Sequence, residues 1–172
     1  AVTVTGLTVA DLEAMPDDGR RYELIGGAIV MTPAPGVDHQ RVSRRLQRLL
    51  EDAWPEMEIF DAPIDLDLPE EQRVQPDLVA VERGRTGRRL SLPVALVVEI
   101  VSPGSQTNDR VTKRATYAAA GIPAYWIVDP DGGTITCLVL EGADYRVVAE
   151  GATVTVADPV PLRIDLPALL EP

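Results

Sequence analysis

"VQPDLVAV" (residues 74–81) and "ALVVEIVSP" (residues 95–103) decide how this chain is read. Both are short apolar runs rich in β-branched residues and punctuated by proline, the pattern of central strands covered on both faces. Each carries one carboxylate, Asp77 in the first and Glu99 in the second. An ion buried without a partner loses its hydration and gains nothing in return. Two such residues on neighbouring core strands therefore call for a compensating cation.

Outward from these strands the punctuation is clear. "RRYELIGGAIVMTP" (20–33) is two apolar runs around Gly26-Gly27, the signal of a type I′ or II′ hairpin. "LTVADLEAMPDD" (7–18) offers Thr8 as the N-cap of a short helix that Pro16 closes. In "VDHQRVSRRLQRLLEDAW" (37–54), Val42, Leu46, Leu49, Leu50 and Ala53 recur at helical spacing. Arg41, Arg44, Arg45 and Arg48 fill the other face, and Asp38 is the expected cap. "MEIFDAPIDLDLP" (57–69) reads as one or two strands broken near Pro63. Asn108 or Asp109 is expected to cap the helix "RVTKRATYAAAG" (110–121), which Gly121 ends. "PAYWIVDP", "TITCLVLE", "YRVVAE" and "TVTVA" follow as strands, and "LPALL" (166–170) as a last helical turn. The order predicts an α/β or α+β fold: a mixed central β-sheet flanked by at least two helices, with extra hairpins, in one domain over 1–172.

Bulk properties narrow the function. The chain has 172 residues and a net charge of −11, which argues against coating nucleic acid through bulk electrostatics but leaves room for a local basic groove. Cys137 is the one cysteine, so neither an internal disulfide nor a cysteine-based zinc site is expected. No apolar run reaches the length of a membrane span. A cytoplasmic protein is the expectation.

The helix after Glu99 carries Asp109, Lys113 and Tyr117 at i, i+4 and i+8, one stripe of one face. Packed back on the sheet, that stripe brings Lys113 toward Asp77 and Glu99. Glu23, inside the apolar run "RYELI", adds a third carboxylate. Asp and Glu oxygens are hard ligands suited to Mg²⁺ or Mn²⁺. A bound metal lowers the pKa of water and neutralises charge building on a phosphodiester, and a lysine beside it can orient or deprotonate that water.

These residues resemble the Uma-type endonuclease family of the PD-(D/E)XK nuclease superfamily. The resemblance spans nearly the whole chain. It rests on Pro76-Asp77, on "E-x-V-S-P" at Glu99 to Pro103, on "D-x-x-x-K-x-x-x-Y" at Asp109 to Tyr117, and on "Y-W-x-V-D-P" at Tyr125 to Pro130. It implies a restriction-endonuclease-like core and a Mg²⁺-dependent endodeoxyribonuclease acting on DNA, with a homodimer supplying one site per strand. Asp77 and Glu99 would be metal ligands, the Ile100 carbonyl a third, and Glu23 the additional acid. The superfamily's strand lysine is replaced by Val101, and the resemblance moves its role to Lys113.

Plainer roles stand beside these. Asp77 could cap a turn after Pro76, Glu99 could pair with an arginine, and Glu23 with Arg20 or Arg21. Lys113 could be a solvated helix lysine. His39, the one histidine, is either an exposed residue at a helix start or an accessory group at the site mouth. Asp109 and Tyr117 are accessory candidates whose simpler roles are capping and core packing. Trp54 and Trp126 read as core. The arginines at 41–48 and at 83–89 are solvated faces or phosphate-binding stripes. A second function follows: a catalytically inactive member of the fold that binds nucleic acid or protein.

Overall fold

The computed structural model describes residues 6–32, 34–102 and 108–172, with the backbone alone at 108–110. In chain order the elements are α1 (Val9–Glu13), β1 (Arg21–Ile25), β2 (Ala28–Thr32), α2 (Val37–Ala53), β3 (Met57–Asp61), β4 (Leu66–Leu68), β5 (Gln72–Val74), β6 (Leu78–Glu82), β7 (Leu90–Ser91) and β8 (Leu96–Ile100). A π-helical turn (Asn108–Lys113) runs into α3 (Arg114–Ala119). Then come β9 (Ala124–Asp129), β10 (Thr134–Glu141), β11 (Asp144–Gly151), β12 (Thr153–Val156), β13 (Leu162–Asp165) and α4 (Leu166–Leu170).

Six strands form the central sheet in the order β11-β10-β9-β8-β6-β3. It is mixed: β8 and β9 run parallel, and every other pair is antiparallel. The parallel pair exists because the chain leaves β8, crosses through α3 and returns as β9, the connection that parallel strands require. A second sheet, β2-β1-β5-β4-β7, and a β12-β13 ribbon complete the strands. The mixed α+β architecture expected from the sequence is the one observed.

The central sheet divides the core. On one face α2 lays Val42, Leu46 and Leu50 against Leu78, Leu96, Val98 and Trp126, joined by the ribbon and α4. On the other face Val79, Val97, Tyr125 and Ile127 meet Tyr117 and Ile122 from the α3 region and Leu66 and Val74 from the second sheet. β6, β8 and β9 are thus covered on both sides, which is why their sequences are continuously apolar. Each fully buried leucine contributes about 1.5–3 kcal/mol by leaving water.

Local chemistry explains the punctuation. Thr8 caps α1 in a reciprocal box with Asp11. Gly26 and Gly27 both take positive φ, 57° and 73°, as a type I′ turn demands. Gly121 ends the α3 region at φ 74°.

Several expectations are corrected. Gly36, not Asp38, is the N-cap of α2, without a side-chain bond; Asp38 lies in the first turn and binds Arg41. "VQPDLVAV" is not one strand: Pro76 interrupts it, so Asp77 stands in the gap between β5 and β6 rather than within a strand. "PLRID" supplies β13, which the sequence reading left out. Trp54 ends α2 only partly buried, whereas Trp126 is fully enclosed. The "SPGSQT" turn from Pro103 to Thr107 and the side chains of Asn108 and Asp109 lie outside the described residues, so the accessory role expected of Asp109 does too. Among the described residues, no helix is long and apolar enough to cross a membrane.

Candidate active site

Leu78 pairs with Val98 in the antiparallel β6–β8 ladder. One step further along, Asp77 falls opposite Glu99, and the two-residue alternation points both to the same face as Val79 and Val97. That face is the one covered by the second sheet and α3. β1, in the second sheet, turns Glu23 into the same layer, and the π-helical turn delivers Lys113. A π turn carries i→i+5 bonds and is wider than an α turn, a device common at functional sites. Four segments therefore contribute one group each.

The Lys113 ammonium is the hub. Nζ lies 3.0 Å from Glu99 Oε1 and 3.0 Å from Glu23 Oε1. Tyr117, one helical turn on, donates its hydroxyl to the same Glu99 oxygen at 2.6 Å. Burial, followed by the charges of Glu99 and Glu23, pushes the Tyr117 phenol well above its ordinary value, so it stays a donor. The Gln75 backbone N–H donates to Glu23 Oε1 at 2.8 Å, while Glu23 Oε2 is buried with no hydrogen-bond partner among the described residues. Glu23, Glu99, Lys113 and Tyr117 are all closed off, no residue more than 2% exposed.

Asp77 forms the second half. Oδ1 accepts from Arg21 Nη1 at 2.9 Å; Oδ2 accepts from the Ile100 backbone N–H at 2.7 Å and lies 3.1 Å from His39 Nε2. Burial alone would raise this carboxyl. The His39 contact, the Arg21 charge and the Ile100 N–H outweigh it and hold Asp77 below the usual aspartate value. Burial works against the Arg21 charge too, but the nearby Asp77, Glu99 and Glu23 carboxylates outweigh it and raise its pKa. Arg21, His39 and Asp77 face a cleft of about 370 Å³, with Arg20, Gln40 and Ser43 among its walls.

Glu23, Asp77, Glu99 and Lys113 are thus brought into one cluster, and His39 and Tyr117 touch it. At Asp77 the backbone of Ile100 supplies its N–H. Among the described residues Glu99 meets Lys113, and Arg21 serves Asp77. The arginine faces are corrected in part. Arg45 is spent on the carbonyls of Ala168, Leu169 and Glu171, Arg83 and Arg85 on the carbonyls of Pro55 and Pro93, and Arg89 on Glu13. Arg21 was missed because nothing local distinguishes it from Arg20. Another signal was there to be read: of the sixteen Lys and Arg residues, Lys113 is the one lysine. A chain that uses arginine for every other cation and lysine at the most deeply enclosed position has chosen the ammonium for a reason that charge alone does not supply.

No group of three or more His, Cys, Asp or Glu side chains closes around a metal position among the described residues. The donors nevertheless fit a hard divalent ion of the kind held by one or two carboxylates and water. Glu23 Oε2 is an enclosed oxygen without a donor among the described residues, beside the carboxylates of Asp77 and Glu99. Asp77 and Glu99 would hold such an ion.

The chain belongs to the Uma2 family, described as "Putative restriction endonuclease", which matches residues 9–168. Among solved structures it is similar to "a putative nuclease belonging to DUF820" from Anabaena variabilis ATCC 29413, with a TM-score of 0.75 at 20% identity over 95% of this chain and 97% of that one. At that identity the likeness speaks to the fold. No curated protein matches the chain.

Proposed function

We propose that this protein is a metal-dependent endodeoxyribonuclease that hydrolyses phosphodiester bonds by attack of water. The observation that carries the reading is the enclosed ammonium of Lys113, 3.0 Å from both Glu23 and Glu99, in a cluster whose Asp77 borders a cleft. Mg²⁺ or Mn²⁺ bound by Asp77 and Glu99 would acidify water and offset phosphate charge. The chain's own groups divide the remaining tasks. Glu23 and Glu99 fix the position of Lys113 Nζ, and Tyr117 fixes Glu99. The Lys113 ammonium donates to and orients the attacking water and offsets the charge that builds as the water oxygen bonds to phosphorus and the sugar oxygen leaves; the water's proton passes to solvent, and the departing sugar oxygen takes one up from it. Arg21 and His39, on the cleft side of Asp77, meet the entering phosphate. As a homodimer in the cytoplasm the protein would place one site on each strand.

A second reading has its own support. Among the described residues Asp77 is already held by three protein donors and Lys113 by two carboxylates, the arrangement of a locked structural cluster. In that reading the fold binds nucleic acid without cutting it.

Incubation of the protein with plasmid and single-stranded DNA, with Mg²⁺, Mn²⁺ or EDTA, separates the two. The nuclease reading expects metal-dependent cleavage that Asp77→Ala and Lys113→Ala both abolish. Binding without cleavage in every metal would replace it with the second reading.

A further inference from the structure

The four-arginine run of α2 has a remainder that the fold does not use. Arg45 is tied to the end of α4, and Arg41 to Asp38. Arg44 and Arg48 are exposed and make no hydrogen bond or ion pair among the described residues. With exposed Gln40 they lie at i, i+4 and i+8, one straight line on the helix surface about 12 Å long at 1.5 Å per residue. In a chain of net charge −11, two unpaired guanidiniums on one line are a local exception.

Their place matters more than their charge. A second cavity of about 480 Å³ runs beside α2, with Arg41, Arg44 and Gln47 on its wall. It shares Pro35, Gln40, Ser43 and Asp61 with the cleft that reaches Asp77, so the two form one continuous groove. Ser43, only 8% exposed, lies at this junction, borders both cavities and makes no hydrogen bond among the described residues. The N-terminal turn of α2 opens on the same groove through Gly36 and Val37 and has no side-chain cap, so backbone N–H donors are free there. Asp61 borders the groove as well and repels an anion, which leaves the α2 wall as the favourable side.

We propose that Gln40, Arg44 and Arg48, with Ser43 at their base, form the track on which a DNA strand lies as it leaves the cleft. The inference rests on the nuclease reading and names how that site holds its substrate. Arg44 and Arg48 bind successive phosphates without reading bases, and they act as positioning residues rather than on the bond that breaks.

The test is binding of fluorescently labelled DNA in EDTA, followed by anisotropy across a salt series, for the wild type, Arg44→Ala, Arg48→Ala and the double variant. Arg163→Ala, an exposed arginine on β13, controls for the loss of a charge elsewhere. Each track variant is expected to weaken binding severalfold, equally for unrelated sequences, and to lower the slope of log affinity against log salt by about one. With metal present, KM should rise while kcat holds. If the wild type binds and cuts DNA but the track variants match Arg163→Ala, the track is wrong and the nuclease reading stands. If the wild type neither binds nor cuts, both fall.

Discussion

Lys113 Nζ and Glu99 Oε1 stand 3.0 Å apart, fourteen residues apart in sequence and both enclosed. Removing one partner of a buried pair strands the other charge, which costs roughly 3–5 kcal/mol. Lys113→Met is therefore expected to lose that stability in urea unfolding, besides its loss of cleavage. Adding Glu99→Gln to Lys113→Met should restore part of the stability and none of the activity. A Lys113→Met protein as stable as the wild type would contradict the enclosed pair.

Asp77 links folding to pH. Its folded pKa lies below the ordinary value of 3.8, so the unfolded chain takes up the proton first as pH falls. The stability it contributes is whole at neutral pH and is lost as pH drops below about 4 and through the folded value. The stability gap between wild type and Asp77→Asn should be widest near pH 7 and narrow steadily below pH 4. A gap that stays constant across that range would mean Asp77 is not held in its charged form.

Arg45 makes its bonds far from the cleft, through one guanidinium nitrogen to the carbonyls of Ala168, Leu169 and Glu171, which close the end of α4. Arg45→Ala should lower stability by about 1–2 kcal/mol, as the loss of hydrogen bonds to a charged donor does, and leave DNA cleavage unchanged. Hydrogen exchange confined to residues 166–172 would locate the loss. A fall in cleavage instead would place Arg45 with the substrate-facing arginines.

Cys137 is fully buried, and burial pushes its thiol up to about 12. Thiolate is the reactive form. At pH 8 the native protein should resist a thiol-exchange reagent, and denaturant should release one thiol per chain. Fast labelling of the native protein would show that the α2 face of the sheet opens readily.

What could be read from the sequence was mostly what is local. The Gly26-Gly27 turn, the Thr8 cap and the apolar strand around Glu99 are each written in a few consecutive residues, and each appears where expected. Glu23, Asp77, Glu99 and Lys113 were all named from their surroundings, since carboxylates within apolar runs stand out. The pairing of Arg21 and His39 with Asp77 was not. Arg21 and His39 reach Asp77 only because β1 and the first turns of α2 meet across the cleft, a contact that neither segment announces. The π-helical turn also leaves no mark in "NDRVTK", since α and π turns draw on the same residues. β13 escaped because it is short and sits between proline and a helical turn.

Glu23 belongs to the five-stranded sheet and Glu99 to the six-stranded one, and Lys113 binds both. The ammonium is thus a rivet between two layers as well as a chemical group. A ligand that draws Glu99 away from Lys113 must also loosen the seam between the sheets, and by reciprocity a looser seam alters how tightly that ligand is held. Substitutions that shift the second sheet, even at its far edge, should then register as changes in ligand affinity.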